Sequence, residues 1–283
     1  PRYDRAVLIS SRGCPYTCTY CSQRLVTGTT YRYHSVDRII ENIDLLVYEY
    51  NQKSLTFDED NFAVHKSRVK KLCDAIVAQN YPKDVEFKVQ TRADNLYKEI
   101  MPYLQKANFK GVSFGLETAS ERLIKVINKE HTVQKCTESI ELARKYGMDA
   151  TALMIMGLPT ETREDRNTSV DYIYTQGLRF TKFNNLIPYP GTKLYNMTKN
   201  TPQIHVKKNW QNFNSCSCDS RTSASLRSAR HNLQYSFPSI YWAGSTFSDN
   251  GSCPLLGPSK TKQLYFVHNR WRNSSGMVLL GYQ

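Results

Sequence analysis

The alternation of strand and helix signals is the feature that most constrains this chain. Short apolar runs at 6–10 (AVLIS), 54–57 (SLTF), 85–91 (VEFKVQT), 111–117 (GVSFGLE), 150–157 (ATALMIMG) and 180–188 (FTKFNNLIP) have the length and character of buried or half-buried strands. Helix-period segments separate them. Val36, Ile39, Ile40, Ile43 and Val47 recur at helical spacing after Ser35, a plausible N-cap, and Val69, Leu72 and Ile76 mark one face of SRVKKLCDAIVAQN. EIMPYLQKA reads as a helix despite its proline. TVQKCTESIELARKYG stops at Gly147, and REDRNTSVDYIYTQG completes the series. Six strands alternating with helices predict an α/β fold with a parallel sheet and right-handed crossovers. No GxGxxG or GxxxxGK[ST] stands at a strand-to-helix turn, which argues against dinucleotide-binding and P-loop enzymes. The expected architecture is a partial (β/α)6, TIM-like barrel, in which chemistry gathers at the C-terminal ends of the strands.

No apolar stretch approaches the roughly 20 residues of a membrane span, and PRYDRAVLIS lacks the layout of a secretory signal. The expected location is the cytoplasm, where thiols stay reduced and clustered cysteines act as metal ligands or catalysts. The formal charge of +13 invites a nucleic-acid reading, but its distribution weakens it. Residues 201–283 hold nine Lys/Arg against Asp219 and Asp249, a net of +7 that leaves +6 for the other 200 residues. In those 200 the basic residues interleave with acids along helical stretches such as KSRVKKLCDAIV and ESIELARKYG, the pattern of a solvated helix face. Nucleic acid is not the expected partner.

The loop after the first strand, RGCPYTCTYCSQ (12–23), places Cys14, Cys18 and Cys21 within one turn-rich stretch, with no fourth cysteine nearby. A [4Fe–4S] cube wants a ligand on each of four irons, so three local thiolates leave one iron open to substrate. The x3, x2 spacing fits neither the bacterial ferredoxin run nor the paired hooks of structural zinc.

Cys14-x3-Cys18-x-Tyr20-Cys21 resembles the signature of the radical S-adenosylmethionine (SAM) superfamily, and the resemblance extends over about residues 5–195. It implies a [4Fe–4S] cluster on these three cysteines whose open iron is chelated by SAM. One electron then cleaves SAM to a 5'-deoxyadenosyl radical. FDEDNF (57–62) resembles the acidic motif that receives SAM's amino group, with Glu59 and Asp60 at the matching positions. Arg92 of QTR is placed to meet SAM's carboxylate. FGLET (114–118) is similar to the segment whose glutamate, here Glu117, hydrogen-bonds the ribose, and MIMGLPTET (154–162) to the motif whose backbone, at Gly157, edges the adenine. Tyr20 completes this set. Taken singly, each residue has a plain structural explanation such as a helix cap, a surface ion pair or a strand-end turn. One per strand end, in family order, is what those explanations do not supply.

With TRAD and PYPGT (188–192), these motifs look most like the B12-binding branch, which implies cobalamin held by a domain absent from this chain. The implied activity is reductive cleavage of SAM to start methyl transfer or oxidative rearrangement on an unknown substrate. The implied partner is a one-electron donor such as flavodoxin or ferredoxin. Alternatives are methylthiotransferase-like modification of tRNA or protein, and a degenerate, non-catalytic Fe–S fragment. GVSFG also matches the GxSxG elbow of serine hydrolases, but Ser113 is expected inside a strand rather than at a sharp turn. The domain reading is a radical SAM barrel over 1–200 and an irregular, disordered or out-of-frame tail over 201–283, where serine is abundant, glutamate absent and no period sustained. Cys216, Cys218 and Cys253 make a weak zinc pattern, and Cys73 and Cys136 read as core thiols.

Overall fold

The computed structural model describes residues 6–198. A six-stranded parallel sheet runs through them in sequential order: β1 (Ala6–Leu8), β2 (Ser54–Phe57), β3 (Glu86–Thr91), β4 (Phe109–Glu117), β5 (Asp149–Met156) and β6 (Phe180–Asn185). The register sets Leu8 beside Phe57, Phe57 beside Val89, Thr91 beside Phe114, and Met154 beside Phe183. The helices are α1 (Val36–Asp44, running on into a π-helical turn at Leu45–Glu49), α2 (Lys66–Ala78), α3 (Met101–Lys106), α4 (Glu121–Val126), α5 (Val133–Lys145), α6 (Arg163–Thr175) and α7 (Lys193–Thr198). The result is the expected half-barrel of βα units.

Local chemistry explains the boundaries. Ser35, Thr132 and Thr162 accept backbone hydrogen bonds as N-caps of α1, α5 and α6, and Thr162 forms a full capping box with Asp165. Pro102 lies in the first turn of α3, where no intrahelical bond needs its missing N–H. Gly147, at φ +74°, ends α5 in the left-handed conformation that a glycine adopts without strain.

One face of the sheet carries the core. Leu55, Phe57, Phe87, Val89, Phe109, Val112, Phe114, Ala152 and Met154 belong to a single buried cluster with Ile39 and Ile43 of α1, Leu72 and Ile76 of α2, Leu104 of α3 and Ile140 of α5. Phe57 stacks on Phe109 at 5.9 Å, and Phe87 lies 5.4 Å from Phe109. The opposite face lines the lumen. Cys73 and Cys136 are buried, and burial pushes each thiol up to about 12, as expected of core residues.

Three expected strands end before their apolar runs do: β1 at Leu8, β5 at Met156 and β6 at Asn185. The following residues turn into the site loops. Four short elements left no period to read: α4, α7, the turn of helix at Gln23–Val26, and an antiparallel ribbon pairing Ser11 with Tyr33 and Arg12 with Arg32. Ser113 sits in the middle of β4, which excludes a nucleophile elbow there. The expectations about a tail over 201–283 and about Cys216, Cys218 and Cys253 lie outside the described residues.

Phe57 is fully buried among Phe62, Phe87 and Phe109. Phe57→Ala is expected to cost about 3–5 kcal/mol, read as a lower urea midpoint.

Candidate functional site

Because the sheet is parallel, all six strands deliver their following loops to one edge. The cysteine loop leaves β1 there. Gly13 sits at φ +91°, and a Cβ would overlap the Thr30 carbonyl, so only glycine permits this close approach. Cys14 N–H donates to Gly28 O (3.3 Å) and Cys21 N–H to Cys18 O (3.3 Å), folding the loop on itself. Farther out, Thr19 N–H reaches Ile127 O (2.9 Å) and Leu194 N–H reaches Thr19 O (2.9 Å). Cys14, Cys18 and Cys21 are free thiols, each partly exposed. Burial pushes Cys14 and Cys21 up, while the Arg92 guanidinium opposes the shift at Cys14. Among the described residues no three His, Cys, Asp or Glu side chains already converge tightly enough to hold a metal ion.

The loop after β2 anchors the cysteine loop. Glu59, 4% exposed, accepts from Ser10 N–H (2.7 Å) and from the hydroxyls of Ser10 and Ser11, and Arg68 of α2 lies 3.9 Å away. Burial raises the Glu59 carboxyl, and Arg68 and the serine donors oppose it. Asp60 accepts from Gly13 N–H (3.0 Å), from Thr27 Oγ1 (2.8 Å) and from Gln23 Nε2. Both acids of the expected cofactor motif are therefore turned onto the cysteine loop. Asn61, fully buried, accepts from Thr91 Oγ1 (2.7 Å) and donates to Asn95 Oδ1 (2.6 Å), tying the β2 end to the β3 end.

Arg92 follows β3 and is 5% exposed. It forms a two-pronged pair with Asp94 (2.9 Å each), donates to the Lys129 carbonyl (2.6 Å), stands 3.5 Å from Cys18 Sγ and covers the Tyr16 ring at 3.6 Å. Burial alone would lower its pKa. Asp94 outweighs that and raises it, so the guanidinium stays charged beside the thiols.

Glu117 closes β4 at φ +67°, a strained conformation for a non-glycine residue. Its Oε1 accepts from Lys129 Nζ (2.7 Å) and from Tyr20 O–H (2.9 Å), and Lys129 Nζ lies 3.0 Å from the Tyr20 oxygen. Burial, then the Glu117 carboxylate, push the Tyr20 phenol well above its usual range, so it remains a donor. Burial works against the Lys129 charge, but the adjacent Glu117 more than restores it. Both hydrogen bonds fall on Oε1 and leave Oε2 for another donor. Lys129 was missed in the sequence because NKEHT reads as a polar turn. His131 behind it, its pKa pushed down by burial and by Lys129, stands 3.4 Å from Gly115 O.

Gly157 follows β5 at φ +85°, and its N–H donates to Glu161 Oε2 (2.7 Å), itself 3.6 Å from buried Arg166. The structure thus brings Tyr20, Arg92 and Glu117 together with the unforeseen Lys129 around the cysteines. Asp60 and Glu59 stand at the base of the loop, and Gly157 lies on the next strand end.

A family model described as the radical SAM superfamily matches residues 8–173. The chain belongs to the radical SAM superfamily. An uncharacterized methyltransferase of Pyrococcus horikoshii is 31% identical over 73% of this chain and 44% of its own length. The anaerobic magnesium-protoporphyrin IX monomethyl ester cyclase of Cereibacter sphaeroides is 26% identical over 69% and 32%. In structure, the radical SAM methyltransferase TsrM of Kitasatospora setae, with cobalamin and a [4Fe–4S] cluster bound, superposes with a TM-score of 0.64 at 19% identity, over 72% of this chain and 42% of that one. This radical SAM chain spans less than half the length of these relatives.

The donor set of this radical SAM site fits the superfamily's cofactors. The buried Arg92 guanidinium, suited to an anionic cluster, stands against Cys18 in the loop that carries all three thiols, and among the described residues Glu117 Oε2 is an acceptor without a partner.

Asp165 offers a test of the β5–α6 loop. Burial alone would raise its carboxyl, but donors at Ser120 Oγ, Thr162 N and Oγ1, and Arg122 hold it well below the usual carboxylate range. A depressed pKa stabilises the fold above the unfolded value of about 4 and loses that contribution as pH falls further. Asp165→Asn is expected to cost about 1.5–3 kcal/mol at pH 7, and the gap from the native chain should narrow below pH ~4 in urea unfolding.

Proposed function

We propose that this chain is the radical domain of an enzyme that cleaves SAM reductively at a [4Fe–4S] cluster and directs the radical to methyl transfer or oxidative rearrangement. The carrying observation is the meeting of the three-cysteine loop with Arg92 and the Glu117–Lys129–Tyr20 cluster at one sheet edge. Cys14, Cys18 and Cys21 would hold the cluster, and SAM would lie between it and the ends of β4 and β5. Bound there, these cofactors supply one-electron bond cleavage, which the side chains alone do not.

The chain's own residues bind and orient. Arg92 balances the thiolate charge and is the cation available to SAM's carboxylate. Asp60 Oδ1, whose partner is the exposed Gln23 side chain, is the atom open to SAM's amino group. Glu59 acts one step back by fixing Ser10 and Ser11. Tyr20 and Lys129 hold Glu117 so that Oε2 can accept from a ribose hydroxyl, and Gly157 lets the backbone come close to the adenine. In this reading the domain occupies residues 1–200, cobalamin enters through a domain beyond this chain, and flavodoxin or ferredoxin delivers the electron in the cytoplasm. The names of the methyltransferase and cyclase relatives support the reaction class. No helix among the described residues is long and apolar enough to cross a membrane.

Anaerobic reconstitution with iron and sulfide should yield [4Fe–4S] absorbance in the native chain and in Cys73→Ala, and none in Cys14→Ala, Cys18→Ala or Cys21→Ala. A full cluster in all three loop variants would sink the assignment. Glu117→Ala should retain the cluster and weaken SAM binding by about 1.5–3 kcal/mol, measured by equilibrium dialysis. An unchanged constant would remove Glu117 from the SAM site.

A further inference from the structure

Parallel strands set register partners side by side on one face, and the core occupies the face of Val89, Val112, Ala150 and Ala152. The alternate positions line the lumen. One row across them joins Gln90, Ser113 and Thr151, and the next, nearer the strand ends, joins Gly115, Leu153 and Lys182. Beyond it, Ile155 pairs with Asn184.

Two observations single out Lys182. It is half-buried on β6, yet it makes no hydrogen bond or ion pair with any described residue. Other half-buried or buried cations of the site edge, Arg68, Arg92, Lys129 and Arg166, all have a carboxylate within 4 Å. Gly115 in the same row has no side chain, and a Cβ there would run into Glu117 Oε1 and Lys129 Nζ. The Lys129–Glu117 pair therefore hangs over Gly115, and Lys182 stands two strands away, roughly 10 Å at about 4.8 Å per strand. Leu153 and Ile155, partly exposed, lie between.

We propose that Lys182 anchors an anionic group, carboxylate or phosphate, of the second substrate, whose apolar part rests on Leu153 and Ile155. Ser113, Thr151 and Asn184 supply neutral hydrogen-bonding groups around it. The placement relative to Glu117 rests on the SAM-site reading above, but the anion preference does not. An unpaired ammonium in a partly dry, concave wall attracts a carboxylate or phosphate more strongly than it would at an open surface.

The test uses the full chain, apo and reconstituted, with benzoate, phenyl phosphate and the neutral benzamide as probes in saturation-transfer NMR titrations. The native chain should bind at least one anion fivefold or more tightly than benzamide. Lys182→Met should abolish that preference and Lys182→Arg should keep it, with unchanged melting temperatures. The stronger anion identifies the headgroup. No anion preference in the native chain, or one that survives in Lys182→Met, overturns the proposal. A Lys182-dependent preference in a chain that forms no cluster would uphold the anion site while refuting the radical SAM activity.

Discussion

Arg92 is the interaction on which the site depends. One guanidinium grips Asp94 in its own loop, the Lys129 carbonyl after α4, and the face of Tyr16, and it stands against Cys18 in the loop after β1. Three segments far apart in sequence are thereby fixed to one planar group. Lysine could not replace it, because a point ammonium cannot chelate a carboxylate in two prongs and still donate sideways to a carbonyl. The bond to the Lys129 carbonyl in turn fixes the residue whose ammonium holds Glu117.

The distribution of buried charge follows the same logic. Arg68–Glu59, Arg92–Asp94, Lys129–Glu117 and Arg166–Glu161 all lie at the strand-end edge, with side chains largely out of solvent. Pairs elsewhere, such as Arg38–Glu41 and Arg179–Asp149, are exposed. Buried pairs often stabilise no better than apolar residues of the same volume, so their concentration at one edge is not explained by stability. The left-handed backbone of Glu117 adds strain at the same place. The fold tolerates both because a separate phenylalanine-rich cluster on the other face carries the packing.

The strands and long helices were legible because each buries one face, and burial imposes a period on the sequence. The placement of the cysteines, Glu117 and Gly157 at the strand ends was legible because their motifs are local. Arg68 was not. It sits in KSRVKK, which reads as a solvated basic face, yet it is 4% exposed and faces Glu59, nine residues earlier, through the turn between β2 and α2. Lys129 and Asn61 were hidden for a related reason: their partners come from other strand ends, and no pattern along the chain encodes that meeting. Glu59 and Asp60 were picked out by motif, but their donors Ser10 and Gly13, at the start of the cysteine loop, lie 49 and 47 residues upstream and appear only in three dimensions.

The lumen shows why a half-barrel can be both rigid and open. A closed barrel of eight strands fills its interior with layers of branched apolar side chains and has no room for a reactant there. Here the inward positions mix polar Thr56, Gln90, Ser113, Thr151 and Asn184 with apolar Leu153 and Ile155, and Gly111 and Gly115 carry no side chain at all. Such a face cannot serve as a core, because among the described residues its side-chain hydroxyls and amides have no partner layer to bond to. It is a half-buried wall, and the outward residues of the same strands must supply the cohesion. Alternation along each strand thus separates two demands that a single face could not meet: dense packing behind the sheet, and an accessible polar surface in front of it beside the strand ends.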